Sequence, residues 1–456
     1  MKTFDAIVIG AGTGGQTAAI ELAASGWNVA IVEMSATPGG VCALHGCQAK
    51  KYFAEAAALA AASKHLKGLG VTAPPAFSWT DIAASKNSFT SQIPENTKKS
   101  LRGNNVEYIE GNAAFRDRSG ITVNGETLGA DYFVIATGSR PMDLPIEGHE
   151  HLATSNDFLA LEALPERIVF VGGGFISFEF AHFAARLGGS AGNIHILEVM
   201  DRPLGPFDAD MVSQLAAASA FDGIDIQCGV TISSIEKASG GFAVHLESGE
   251  TIETDLVVNG AGRAPALAGL DLERAGIDAT RRGIQVDSGM RTSAPQIYAV
   301  GDCVDSLQLA RVADREAQVA AENIVAEKSG ETGAEISYRE IPAVLFTYPQ
   351  LAMVGKTEQA LRKEEVKYWR AFETELGWPT YRRIGLRHAA FKILVDADDR
   401  ILGAHILSDN ATGIINVFRQ AMLDSKSIRQ VRDDAILSPY PSRESDILYM
   451  LNPLLG

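Results

Sequence analysis

Cysteine is scarce in this chain, four in 456 residues. Secreted domains held by disulfides are far denser in cysteine and far shorter. Positive charge is also in short supply: 40 Lys and Arg stand against 56 Asp and Glu, for a net charge of −16. A nucleic-acid backbone or an anionic membrane surface asks for a basic face, so neither is expected as a partner. No run of residues approaches the roughly 18 apolar positions of a membrane span. The apolar run in the first ten residues is too short for a secretory signal, so no targeting segment is expected. A cytoplasmic protein is the resulting expectation. There, a close cysteine pair points to catalysis, redox sensing or metal binding rather than to a structural staple. Hydrophobic residues make up 46% and charged residues 21%, ordinary values for a globular chain of about three domains.

Residues 4–9 form a short apolar run. Gly10, Gly12 and Gly15 follow as G-x-G-x-x-G, then an Ala-rich stretch to Ser25, then a second apolar run ending at Glu33. The order reads as strand, tight turn, helix, strand. Glycine allows the turn and lets backbone N–H groups approach a pyrophosphate at the helix N-terminus, while Glu33 is placed to bond a ribose hydroxyl. The motif alone is weak; in this setting it predicts a dinucleotide site. A second unit of the same kind starts at Arg167, with a strand at 167–171, a helix at 175–187 and a strand at 194–198. Gly172, Gly174 and Ser177 take the loop positions, serine replacing the third small residue, and Glu198 ends the next strand. A carboxylate there accepts from a 2′-OH and repels a 2′-phosphate, which favours NADH. Arg202 is the group through which NADPH would be read instead. Extra residues in the loop 188–193 leave the strand register open. Elsewhere the pattern predicts helices at 51–67, 81–102 and 312–326 and strands at 106–109, 121–123, 130–136 and 296–300, with a change of texture near 337.

The segment Gly39-Gly40-Val41-Cys42-Ala43-Leu44-His45-Gly46-Cys47 holds two cysteines with four residues between. In irregular or distorted helical backbone their Cα atoms can come within the roughly 4.4–6.8 Å that a disulfide needs. An Ala-rich helix follows, and its N-terminal dipole would favour a Cys47 thiolate. Only His45 is near as a further zinc ligand, so no metal site is expected. Cys228 and Cys303 have no sequence neighbour to pair with and read as inert thiols.

These motifs together resemble the class I pyridine nucleotide-disulfide oxidoreductases, such as lipoamide dehydrogenase, glutathione reductase and mercuric reductase. The resemblance covers essentially the whole chain, and the run Cys47-Gln48-Ala49-Lys50-Lys51 is similar to the glutathione reductase form. It implies an α/β fold with two Rossmann-like dinucleotide-binding domains, for FAD and NAD, and an α+β C-terminal dimerisation domain. The implied boundaries are 1–148 and 263–336 for FAD, 149–262 for NAD(P) and 337–456 for dimerisation. It also implies a homodimer in which electrons pass from the nicotinamide through FAD to the Cys42–Cys47 pair. Cys47 would lie against the flavin as the charge-transfer thiolate, and Cys42 would exchange with a small-molecule disulfide or other acceptor. By the same resemblance Thr137 and Gly138 form the A-T-G turn, Asp302 reaches the ribityl chain, and Gly262 and Arg263 open the G-R-x-P turn. Glu179 matches a glutamate that pairs with a lysine near the flavin, here Lys51, or Lys50 if the helix phase differs.

Several positions depart from the family. Ala49 replaces a proline and Leu44 an asparagine. Most relatives carry His-Pro-Thr near the C-terminus, where the histidine serves as acid–base catalyst; this chain reads Tyr440-Pro441-Ser442-Arg443-Glu444, and no histidine follows His405. Tyrosine, with a reference pKa of about 10, accepts protons poorly at neutral pH. Tyr440, His45 or nothing at all takes the histidine's place. The departure leaves three readings: a disulfide reductase, a mercuric-reductase-like reductase of metal ions or quinones, and a low-turnover redox sensor.

Overall fold

The computed structural model describes residues 1–188 and 193–455. Most of the loop at 188–193, on which the register of the second repeat was left open, lies outside the described residues. The chain divides into two compact units: Met1–Lys51, Ala84–Met142 and Arg263–Tyr338 form the first, and Tyr52–Ala83, Asp143–Gly262 and Arg339–Gly456 the second.

The first unit is built on β1 (Lys2–Ile9), α1 (Thr13–Ala24) and β2 (Val29–Glu33). Every residue of β2 is buried, as are the last four of β1. Such continuous burial fits central strands of a parallel sheet covered on both faces, where apolar runs replace alternation. β1 pairs in parallel with β2 on one side and with the strand Glu126–Ile135 on the other. The strand Ile297–Ala299 adds to Glu126–Ile135, returning the chain to this sheet after an excursion of more than a hundred residues. The helix Ala310–Ser329 packs beside α1. The stretch 81–102, read from the sequence as one helix, is two: Trp79–Thr90 and Ile93–Gly103. Pro94 in the first turn of the second accounts for the break, since proline lacks the N–H that an uninterrupted helix needs there. The antiparallel strands Ala113–Asp117 and Gly120–Val123 extend the sheet; only the second of them was expected.

The second unit contains a parallel sheet ordered Ile224–Cys228, Ile194–Glu198, Ile168–Val171, Leu256–Asn259. The helices Phe175–Leu187 and Ala209–Phe221 connect its strands. An antiparallel sheet of Ile232–Ala238, Gly241–Leu246 and Thr251–Thr254 follows, which the sequence pattern had not suggested. A five-stranded antiparallel sheet dominates the C-terminal part of the unit, its core filled by Phe391, Ile393, Ile406 and Phe418. Among the described residues no helix is long and apolar enough to cross a membrane.

Candidate dithiol and dinucleotide sites

The first glycine loop is shaped by contacts that exclude side chains. Gly10 takes φ 106°, and a Cβ there would lie 2.8 Å from the Ala136 carbonyl carbon. A Cβ at Gly15 would collide with Gly10 O. Gly12 caps α1 without any side-chain hydrogen bond, and the first turn carries no acidic residue. By contrast, the helices Ser155–Ala160 and Ile428–Ile436 begin with full capping boxes. The first-turn N–H groups of α1 are therefore left for an anion, which the helix dipole favours. Glu33 is 9% exposed. Its Oε2 accepts from Ala11 N at 2.7 Å and its Oε1 from Ser35 N at 2.8 Å. The carboxylate thus lies at the mouth of the loop, and the glycine cradle with the bare helix end fits the FAD expected there.

The chain returns to this loop before it reaches the cysteines. A Cβ on Gly40 would stand 2.5 Å from Gly12 Cα, so this contact of two glycines sets where α2 (Gly40–Leu44) starts. Cys42 is inside α2, and Cys47 is the first residue of α3 (Cys47–His65). Cys42 is partly exposed and Cys47 exposed, both as free thiols. The two sulfurs are within hydrogen-bonding distance. The Cys42 thiol donates to Cys47 and pulls its pKa down to about 6; the Lys50 charge and the backbone at the start of α3 act the same way, against burial and the Asp302 carboxylate. Cys42 is pushed up by the same hydrogen bond, by burial and by the charges of Cys47 and Asp314, with Arg311 opposing. The sequence pointed to the helix terminus as the cause of Cys47 acidity; the partner thiol is the larger one.

Arg311 and Asp314 had no local signal. They form an ion pair at 2.9 Å, and Asp314 also accepts from Thr13 Oγ1 at 2.5 Å. His45 lies on the turn between the cysteines, its ring partly covered; that partial burial and the charge of Lys86 lower its pKa. Cys303 is fully buried, its thiol donating to Val300 O at 3.2 Å and its pKa pushed up to about 11 by burial.

The turns assigned by resemblance converge. Ser139–Pro141, directly after Thr137 and Gly138, pairs with Arg263–Pro265. Ser139 Oγ donates to Asp302 at 2.8 Å, Arg263 Nε donates to Ser139 Oγ at 2.8 Å, and Ala266 N donates to Gly138 O at 2.9 Å. Ser139 joins Asp302 and Arg263, a role that no local pattern had indicated.

The second loop repeats the first in the second unit. Gly172 has φ 92°, with Ala261 N 2.7 Å from an added Cβ. Gly174 caps Phe175–Leu187 with no side-chain hydrogen bond and no acid in the first turn. Glu198 Oε2 accepts from Gly173 N at 2.5 Å and Oε1 from Met200 N at 2.7 Å. Ser177 is fully buried and its hydroxyl has no partner. Arg202 donates to Gly205 O at 2.6 Å and to Phe207 O at 3.1 Å. Glu179 is 1% exposed, and its Oε1 accepts from Phe346 N at 3.0 Å. Lys51 belongs to the first unit, Glu179 to the second. Tyr440 is 77% exposed. Among the described residues no group of three or more His, Cys, Asp or Glu could hold a metal ion.

Comparison with known proteins agrees with this geometry. Residues 4–317 match the family described as pyridine nucleotide-disulphide oxidoreductase, and residues 341–446 match its dimerisation domain. A glutathione reductase of Burkholderia cepacia is 32% identical over 98% of this chain and 98% of its own length. A dihydrolipoyl dehydrogenase of Thermus scotoductus is 34% identical over 91% of this chain and 90% of its own. Among solved structures, the HOCl-induced flavoprotein disulfide reductase RclA from Escherichia coli superposes with a TM-score of 0.87 at 26% identity, covering 99% of this chain and 100% of its own. A Cu(II) complex of RclA superposes with a TM-score of 0.88 at 25% identity, covering both chains fully.

Proposed function

The chain belongs to the pyridine nucleotide-disulphide oxidoreductase family, and on that premise we propose that it draws electrons from NADH and delivers them through the Cys42–Cys47 pair to a small-molecule disulfide. It is a flavoprotein disulfide reductase with two Rossmann-like domains and a C-terminal dimerisation domain, which supports a homodimer. Bound FAD supplies hydride acceptance from the nicotinamide and onward transfer of the electron pair to a disulfide. Gly10, Gly12, Gly15 and Glu33 hold it at the N-terminus of α1, with Thr137, Gly138 and Asp302 completing its site. Lys51, or Lys50, faces the flavin. Lys50 is the residue whose charge lowers the Cys47 pKa.

The observation that carries the reading is the polarised dithiol. The Cys47 thiolate is held by the Cys42 thiol against the opposing charge of Asp302, the residue assigned to the ribityl chain. Cys42 loses its proton to solvent and attacks one sulfur of the acceptor disulfide. A mixed disulfide forms and one thiolate leaves. Cys47 then attacks the Cys42 sulfur, closing the Cys42–Cys47 bond and releasing the second thiolate. The acceptor gains two electrons and the dithiol loses two. Solvent supplies the protons to the released thiolates, with His45 the nearest base on the dithiol loop and Tyr440 left in the histidine's position. Cys42→Ser is expected to abolish disulfide reduction while preserving NADH oxidation by an artificial dye. Disulfide turnover at the unaltered rate in that variant sinks the assignment.

For the coenzyme, Glu198 at its strand end and the engagement of Arg202 by two carbonyls both favour NADH. A higher kcat/KM with NADPH would reverse this choice. A second reading, reduction of a metal ion such as Cu(II), gains support from Tyr440 in place of the histidine and from the Cu(II) complex of RclA. A metal ion as acceptor releases no thiolate and needs no acid to protonate one. Turnover with Cu(II) exceeding that with every small disulfide tested would favour it.

A further inference from the structure

The segment 201–208 follows Glu198 and turns back over the second glycine loop. Leu204 N donates to Gly173 O at 2.9 Å. A Cβ added at Gly173 would be 2.7 Å from Pro203 Cβ and 2.9 Å from Glu198 Oε2. Gly173 is therefore held on both sides of its peptide: its N–H by Glu198 and its carbonyl by Leu204. Leu204 reaches this position with φ 51°, while 4% exposed. A branched residue adopts left-handed backbone only where its surroundings enforce it.

Two fixings supply that enforcement. Arg202 spans the carbonyls of Gly205 and Phe207 and closes the segment on itself. The planar guanidinium suits such a fork, where an ammonium does not. At the other end, Asp208 is fully buried and caps the helix Ala209–Phe221. Its Oδ1 lies 2.7 Å from Lys392 Nζ, and its Oδ2 accepts from Glu358 N at 3.1 Å. Lys392 is itself fully buried, and also reaches Asp210 at 2.6 Å and Glu358 at 2.8 Å. Breaking a buried ion cluster leaves an uncompensated charge, so such a cluster resists displacement.

We propose that the segment 201–208 is a brace for the nicotinamide-coenzyme loop, anchored by Arg202 at one end and by Lys392 of the C-terminal sheet at the other. Arg202 is a positioning residue in this arrangement, acting on the coenzyme through Leu204 and Gly173. The inference rests on Gly172–Gly174 being the coenzyme loop.

Steady-state titrations of Arg202→Met and Arg202→Lys with NADH and with NADPH, using a dye acceptor, test it. Flavin content and Leu204 amide exchange are read on the same samples. Arg202→Met is expected to raise KM for both coenzymes by the same factor, about tenfold for the loss of two hydrogen bonds. The kcat at saturating coenzyme and the bound flavin stay unchanged, and the Leu204 amide exchanges faster. Arg202→Lys, which keeps the charge but not the fork, shows the same signature in smaller measure and serves if the methionine variant does not fold. Unchanged KM in both variants overturns the brace. So does a loss confined to NADPH and restored by lysine, the pattern of a phosphate ligand. A wild-type chain that oxidises neither coenzyme overturns the coenzyme reading, and the brace with it.

Discussion

In the first glycine loop Glu33 reaches back to accept from Ala11 N and from Ser35 N, and in the second Glu198 does the same to Gly173 N and Met200 N. Both helices that follow begin bare of side-chain caps. The surroundings differ. Opposite the third loop position, Gly15 meets the backbone oxygen of Gly10, which has nowhere to go; Ser177 meets Gly260, whose missing side chain makes room for its hydroxyl. After the carboxylate, the first unit returns through Gly40 and runs into the dithiol helix, whereas the second returns through Pro203 and Leu204 and runs into a helix capped by Asp208. The carboxylate and the uncapped helix are what a dinucleotide loop requires. The residue at the third position is negotiable wherever the facing strand can give way.

The sharpest way to break this contrast is to place the same side chain in both loops. Gly15→Val is expected to yield protein without flavin absorbance and to cost about 3 kcal/mol or more of stability, since the added atoms meet backbone. Ser177→Val should leave bound flavin intact and lower coenzyme affinity alone. Equal flavin loss in both would erase the distinction between them.

The next test concerns what the first unit appends to its loop. In the reduced protein, alkylation of Cys47 by iodoacetamide should follow a thiolate that is present above about pH 6 and protonated below it. Cys42→Ala removes the hydrogen bond that is the largest cause, so the midpoint should climb toward the free-thiol value of about 8.5. An unmoved midpoint would assign the acidity to Lys50 and the α3 terminus instead.

A smaller effect separates the units by acid stability. Burial holds His405 of the second unit down to about 4 from 6.5. The folded state therefore binds its proton less readily than the unfolded one. Stability is full above about pH 6.5 and falls as pH drops toward 4, by on the order of 3 kcal/mol for this group. Glu358, despite the upward push of burial, is held at about 2 by Lys392 and Tyr368, and so adds to the loss below about 4.5. Thermal melts of His405→Gln should show a shallower decline between pH 6.5 and 4 than wild type, with buried His182 keeping part of it. The smallest change is Ser177→Ala. Removing a buried hydroxyl without a partner should be neutral or stabilising by about 1 kcal/mol, read as a rise in melting temperature.

Legibility followed the range of the interactions. β1, α1 and β2, and their counterparts in the second unit, could be read because each is a local apolar run bounded by glycine and an acid. The break at Ser91–Gln92 was passed over, although Pro94 marks it, because the polar stretch on either side holds helical spacing. The hairpin strand Ala113–Asp117 and the three-stranded sheet of 232–254 are short and pair across turns with no strong periodic signal. At the site, the positions of Gly10, Gly15, Glu33, Gly172, Glu198, Cys42 and Cys47 were all visible as spacing. Ser139, which joins residues 124 and 163 positions away, was not. The two carbonyls that occupy Arg202 were equally hidden: a guanidinium near a coenzyme loop looks like a phosphate ligand until its donors are seen engaged.

The order of amino acids by itself determined the two strand–loop–helix units, the acid that ends each second strand and the closeness of the two cysteines, because each depends on backbone geometry within a few dozen residues. Tertiary structure alone decided what fills the third loop position and how Leu204 comes to hold Gly173. Those outcomes depend on groups brought together from distant parts of the chain. Loop-closure entropy must be overcome before such contacts form, and nothing in local spacing records which ones repay it.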